Sequence, residues 1–90
     1  MKLLLCAVCL DIVALRPYER ACECGLSGGR YVDRLWVEVD GPCLVIGTRN
    51  NQIRHAMQVE HEPYVGPHYR WWVLCDGHHM RRRPVAEGAR

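Results

Sequence analysis

The chain has 90 residues, a net charge of +2, 49% apolar residues and 24% charged residues. That balance describes one small globular domain, excludes wholesale disorder, and by itself implies no polyanionic partner. Two features depart from the ordinary. There are six cysteines, and a single lysine, Lys2, among twelve basic residues. Arginine grips phosphate or carboxylate with a planar fork, although a GC-rich genome explains the same bias equally well.

The opening, "MKLLLCAVCLDIVAL", invites a secretion-signal reading. The apolar run is short, Asp11 interrupts it, and no small-residue cleavage site follows. No stretch approaches the roughly 18–20 apolar residues of a membrane span. Residues 1–5 therefore read as a β-strand in a cytoplasmic protein. "CAVC" follows as a tight turn, with a returning strand over residues 11–15.

After "RPYER" comes a second tight turn, "CECG". The first four cysteines thus follow a C-x2-C-x12-C-x-C pattern: Cys6, Cys9, Cys22 and Cys24. Two tight turns that each present two thiolates make a tetrahedral sulfur cage for one zinc ion. Gly25 lets the second turn bend back with positive φ. Cys-x-Cys departs from the usual Cys-x-x-Cys knuckle. Disulfides and buried free thiols are the competing readings, and disulfides require an oxidising compartment that the start of the chain does not suggest. Four thiolates leave no open coordination position, so the zinc is structural.

Beyond "LSGG", "RYVD" is a short strand candidate. Residues 35–39 alternate, placing Leu35, Val37 and Val39 on one face and Trp36 and Glu38 on the other. "DGP" ends that strand and "CLVIG" forms the next, with Cys43 as a small core residue. "TRNNQIRHAMQVE" is the helix candidate, capped by Thr48 or Asn50. Ile53, Ala56, Met57 and Val59 lie on its apolar face. "HEPYVGPHY" is a loop. "RWWVLC" is a strand, "DG" a hairpin turn, and "HHMRRR" the strand that pairs back or frays.

The pattern "KLLLCxxCxDIVAL…CxCGxSGGRYVD…GPCxVIGxxN" resembles small uncharacterised zinc-ribbon-like proteins of bacteria, prophages and phages, over residues 1–57. The resemblance implies zinc ligation by Cys6, Cys9, Cys22 and Cys24. It also implies a bacterial or phage protein, in the host cytoplasm if phage-encoded. It implies no active site.

Several constellations point to ligands. The glycines before Arg30 and Tyr31 bare backbone N–H groups beside a forked cation, which suits a phosphate. The helix start at Asn50 and Asn51, with Arg54, offers N–H donors and amides for a base or sugar edge. Trp71 and Trp72 are strand neighbours that face opposite ways, so one is left exposed as a stacking platform. Arg81, Arg82 and Arg83 form a basic edge that suits nucleic-acid phosphates or blocks aggregation. Cys75 with His78 and His79, helped by His61 or His68, is a weaker second metal candidate. Residues 60–62, "EHE", read as capping and solvation. No nucleophile elbow, phosphate-binding Walker loop or HExxH motif is present, so no enzyme is expected.

The expectation is a single α+β domain over residues 1–90. A four-cysteine zinc-ribbon lobe (1–34) leads into a mostly antiparallel sheet with one packed helix (35–83), and a loose tail follows (84–90). The expected activity is non-enzymatic capture of a phosphate-bearing small molecule such as a nucleotide, in a phage setting a host immune signal. The alternatives are a nucleic-acid-binding zinc ribbon and an inhibitor that docks on a protein through the tryptophan strand. A homo-oligomer is expected because so short a chain encloses a ligand poorly alone.

Overall fold

The structure, a computed structural model, describes residues 1–58 and 70–84. It is α+β. The strands are β1 (Lys2–Cys6), β2 (Ile12–Ala14), β3 (Arg20–Ala21), β4 (Gly28–Tyr31), β5 (Val37–Asp40), β6 (Cys43–Gly47), β7 (Trp72–Val73) and β8 (Met80–Arg82), with helix α1 (Asn50–Gln58). They form two four-stranded sheets, ordered β2-β1-β6-β7 and β3-β4-β5-β8. Every pair is antiparallel except β5 and β8. No helix among the described residues is long and apolar enough to cross a membrane.

The alternation of side chains along each strand explains the core. In the first sheet, Val13, Leu4 and Val45 are register partners on one face, and all three are buried. In the second, Val37, Val39 and Met80 occupy the inner face. These two sets, with Leu15, Cys6, Cys22 and Cys43, make one apolar cluster. Two sheets that share one core satisfy the burial requirement of both. Residues 1–34 supply strands to both sheets, so the cysteine turns grow directly out of the packed structure.

The single expected sheet is therefore two. The Asp76–Gly77 turn forms, with His78 N–H donating to Cys75 O across 3.0 Å. It does not make a hairpin. β7 joins β6, whereas β8 runs parallel to β5 in the other sheet. Met80 is the one apolar residue in "HHMRRR", and its complete burial opposite Val37 determines where that segment goes.

Leu35 also departs from expectation. It is 56% exposed, and β5 starts only at Val37. The Asp33 carboxylate accepts hydrogen bonds from the N–H groups of Leu35 and Trp36, each at 2.7 Å. That turn removes Leu35 from the strand's alternation.

The helix forms where its periodicity places it, yet it is not packed as expected. None of its residues is buried, and Met57 is 84% exposed. Neither expected side-chain cap forms. Arg49 O accepts the N–H groups of Gln52 and Ile53, while Thr48 Oγ1 is buried with no partner among the described residues. The loop expected at residues 61–69, the "EHE" segment and all of the tail except Pro84 lie outside the described residues.

The outer face of the first sheet carries no polar side chain. Ala14, Leu3, Ile46 and Val73 are aligned by register across it, as are Ile12, Leu5 and Leu44. Ile12, Leu44 and Val73 are exposed.

Candidate metal centre

β1 delivers Cys6 at its end, fully buried, and the chain then doubles back. Leu10 N–H donates to Cys6 O at 3.0 Å and Cys6 N–H donates to Asp11 O at 3.0 Å. Closing this turn puts Leu10 at φ +60°, a conformation that costs an ordinary L-residue about 1–2 kcal/mol. The second turn follows β3. Gly25 N–H donates to Cys22 O at 3.0 Å, Gly25 adopts φ +77°, and Cys22 N–H donates to Ser27 O at 2.9 Å. Asp11 ties the two turns together: its Oδ2 accepts Glu23 N–H at 2.9 Å.

The outcome is a four-sulfur cluster. The ligand atoms of Cys6, Cys9, Cys22 and Cys24 all lie within 4.8 Å of one another. Cys24 Sγ is 3.4 Å from Cys22 Sγ and 3.7 Å from Cys6 Sγ. A tetrahedron with metal–sulfur bonds of about 2.3 Å has edges of about 3.8 Å, so the spacing suits a single ion. The four sulfurs are placed as a donor set for a metal ion.

The cluster's electrostatics point the same way. The buried Ser27 hydroxyl, 3.5 Å from Cys6 Sγ, is the main cause of a Cys6 pKa lowered to about 6. At Cys22 burial opposes ionisation, but hydrogen bonds from the Ser27 backbone and from Cys24 outweigh it and lower the pKa. At Cys24 the Leu26 backbone favours the thiolate, yet desolvation and the neighbouring sulfurs push the pKa up to about 12. Sulfurs this close cannot all carry charge unaided. A divalent cation among them removes that conflict.

Among the described residues this is the one group of three or more cysteine, histidine or carboxylate ligands so placed. Cys75, His78 and His79 form no such group, and His61 and His68 lie outside the described residues. Cys43 is buried, as expected of a core residue, and burial raises its thiol pKa.

No protein-family model, curated protein or solved structure matches this chain. The remaining sites therefore rest on their own geometry.

Arg30 and Tyr31 line a concavity of about 540 Å³, and Arg16, Asp33 and Arg34 line it with them. A backbone hydrogen bond from Tyr31 N–H to Arg16 O, 2.7 Å long, brings these segments together. The other proposed ligand residues lie elsewhere. Asn50 Oδ1 accepts the Met1 ammonium at 2.9 Å, and Asn51 and Arg54 are exposed on α1. Trp71 borders an apolar hollow of about 260 Å³ with Ile53, Ala56 and Met57. Trp72 lines a third concavity, of about 440 Å³, with Trp36, His78 and His79. Both tryptophans are exposed, at 50% and 44%. The structure thus distributes Arg30 with Tyr31, Trp71 and Trp72 over three concavities, and Asn50, Asn51 and Arg54 line none of the three.

The basic edge is engaged with the fold. Arg81 pairs with Glu38 at 2.6 Å. Arg82 Nη2 donates to Cys43 O at 2.6 Å. Arg83 pairs with Asp40 at 2.7 Å and also with Glu19. The sequence named His79 only as a second-metal candidate and did not single out Arg16, Arg34 or Trp36. The bond from Tyr31 N–H brings Arg16 to the first concavity, and Trp36 meets His79 across two separate segments.

Proposed function

We propose that the chain is a zinc-stapled, non-enzymatic binding protein whose ligand is a phosphate-bearing small molecule. Four thiolate donors favour zinc over the hard cations, and four protein ligands make a closed, structural site of the zinc-ribbon kind. The second cysteine turn runs through Ser27 straight into β4, so the metal would hold Arg30 and Tyr31 in place.

The phosphate reading is carried by one observation: Arg16, Arg30 and Arg34 converge on one concavity, and none of the three makes an ion pair among the described residues. Asp33 lines the same concavity, but its carboxylate already accepts two N–H groups. Glu38, the register partner of Arg30, has Oε1 bonded by Arg81. Three arginines that line one hollow suit a di- or triphosphate. In the bacterial or phage setting that the resemblance implies, such a protein would sequester a nucleotide signal.

The same reading includes self-association. The all-aliphatic outer face of the first sheet offers no hydrogen bond or charge to nucleic acid, and a second copy presenting the same face covers it symmetrically. Sedimentation at micromolar concentration should give a dimer that Leu44→Glu dissociates. A monomeric wild-type protein would remove this part of the reading.

The main test is calorimetric titration with inorganic triphosphate. Wild-type protein should bind it, and the Arg16→Ala, Arg30→Ala and Arg34→Ala variants should each weaken binding about tenfold or more. No binding of small phosphates, with salt-steep binding of DNA or RNA, would transfer the function to the nucleic-acid alternative.

A further inference from the structure

The concavity between Trp36 and Trp72 has the chemistry of an aromatic-ring slot. Its volume, about 440 Å³, lies within the range of small-molecule sites. One tryptophan comes from each sheet: Trp72 lies in β7, and Trp36 immediately precedes β5. Both indoles are braced. Trp36 meets the His79 ring edge-on, with centroids 5.5 Å apart. Trp72 lies against Gly47, where an added Cβ would come within 2.5 Å of indole Cε2, so glycine is what lets the ring settle there. Trp72 is still 44% exposed. Two fixed, partly exposed indoles with imidazoles at the rim suit a flat heterocycle that stacks and takes hydrogen bonds at its edge.

The slot also lies next to the arginine concavity. Residues 32–34 wall that concavity, and the same turn continues through Leu35 to Trp36 in the slot. Lys2 spans the boundary. Its ammonium donates to Leu35 O and lies 5.5 Å from the centroid of the Tyr31 ring, while its register partner is Gly47, on which Trp72 rests. A cationic hollow and an aromatic slot thus meet across one residue pair, Lys2 and Leu35.

We infer that the Trp36–Trp72 slot takes the base of a nucleotide whose phosphates occupy the Arg16–Arg30–Arg34 concavity. This rests on the phosphate reading above and adds the second half of the ligand. The base stacks on the indoles, His78 and His79 meet its edge, and the chain between base and phosphates crosses the Lys2–Leu35 ridge. Trp71, on the separate hollow beside α1, takes no part.

The test titrates the full chain with inorganic triphosphate and with each of the four common ribonucleoside triphosphates, followed by calorimetry and tryptophan fluorescence. At least one nucleotide should bind more tightly than inorganic triphosphate and quench the indoles, while inorganic triphosphate binds without quenching. Trp36→Leu and Trp72→Leu should each reduce nucleotide affinity about tenfold to a hundredfold and leave inorganic triphosphate binding unchanged, which also shows that the variants are folded. Trp71→Leu should leave both affinities unchanged. Equal affinity for all five ligands without an indole response overturns the slot and leaves the phosphate site standing. Quenching by a nucleoside triphosphate without inorganic triphosphate binding keeps the slot and overturns the phosphate reading. Absence of every response overturns both.

Discussion

The Ser27 hydroxyl and the Cys6 sulfur form a fully buried pair, 3.5 Å apart, at the point where the second cysteine turn enters β4. Ser27 also closes its own turn, since its carbonyl accepts Cys22 N–H at 2.9 Å. One residue therefore orients a ligand from each half of the four-sulfur cluster. Outer contacts of this kind hold the ligands in the geometry the metal requires.

Replacing Ser27 with alanine should weaken zinc binding by about tenfold to a hundredfold, because the Cys6 thiolate loses its hydroxyl donor. Competition with a chromophoric chelator measures this directly. The backbone bond to Cys22 persists in the variant, so its circular dichroism at saturating zinc should match wild type. Unchanged zinc affinity would reduce Ser27 to a packing role.

Metal removal should have a larger effect. Without an ion, the turns are joined by the exposed Asp11–Glu23 contact, by the Ser27–Cys6 hydrogen bond and by the packing of Cys6 and Cys22, and the first turn carries the positive φ of Leu10. Structural zinc binding is worth about 10–16 kcal/mol in zinc-finger peptides, comparable to the whole stability of a typical domain, about 5–15 kcal/mol. Chelation should abolish the cooperative thermal transition or lower its midpoint by more than about 15 °C, and zinc should restore it. An unchanged midpoint would show that the sheets stand without the metal. Metal analysis of protein purified without chelator should find about one zinc per chain.

Gly29 tests the second sheet. It pairs with Val39 at the centre of the β4–β5 ladder, and an added Cβ would collide with Glu38 O and lie 2.7 Å from Val39 Cγ1. The obstacle includes a backbone carbonyl, so no rotamer change relieves it. Gly29→Ala should destabilise the protein by about 2–3 kcal/mol, read from chemical denaturation at fixed zinc concentration. A change under about 0.5 kcal/mol would mean that β4 and β5 lie farther apart than described.

Much of this architecture was legible in the chain, and the reasons differ by element. The C-x2-C and C-x-C spacings locate the four sulfurs because the turns that present them are local. "CLVIG" and the alternation of Val37 and Val39 locate β6 and β5 because strand periodicity is local too. The placement of β8 in the second sheet is not local. There the burial of Met80 opposite Val37 wins over the hairpin preference of Asp76–Gly77. The arginine concavity depends on the bond from Tyr31 N–H to Arg16 O, fifteen positions apart in sequence. The slot depends on Trp36 meeting His79 across two segments. Leu35 was misplaced because Asp33 captures two backbone N–H groups and turns the chain before β5 begins.

The three consecutive arginines near the end of the described chain separate a binding edge from a structural one. Arg83 donates from Nε to Asp40, whose side chain is only 6% exposed, and also reaches Glu19. Arg81, 61% exposed, pairs with Glu38 at the surface. A partly buried, branched pair is worth more than an exposed one, so Arg83→Ala should cost about 2–4 kcal/mol and Arg81→Ala less than about 1 kcal/mol. Chemical denaturation at pH 7 measures both costs. If instead both substitutions leave stability unchanged and reduce binding to a DNA or RNA oligonucleotide with a shallower salt dependence, these arginines form a phosphate-contacting edge and their ion pairs are incidental.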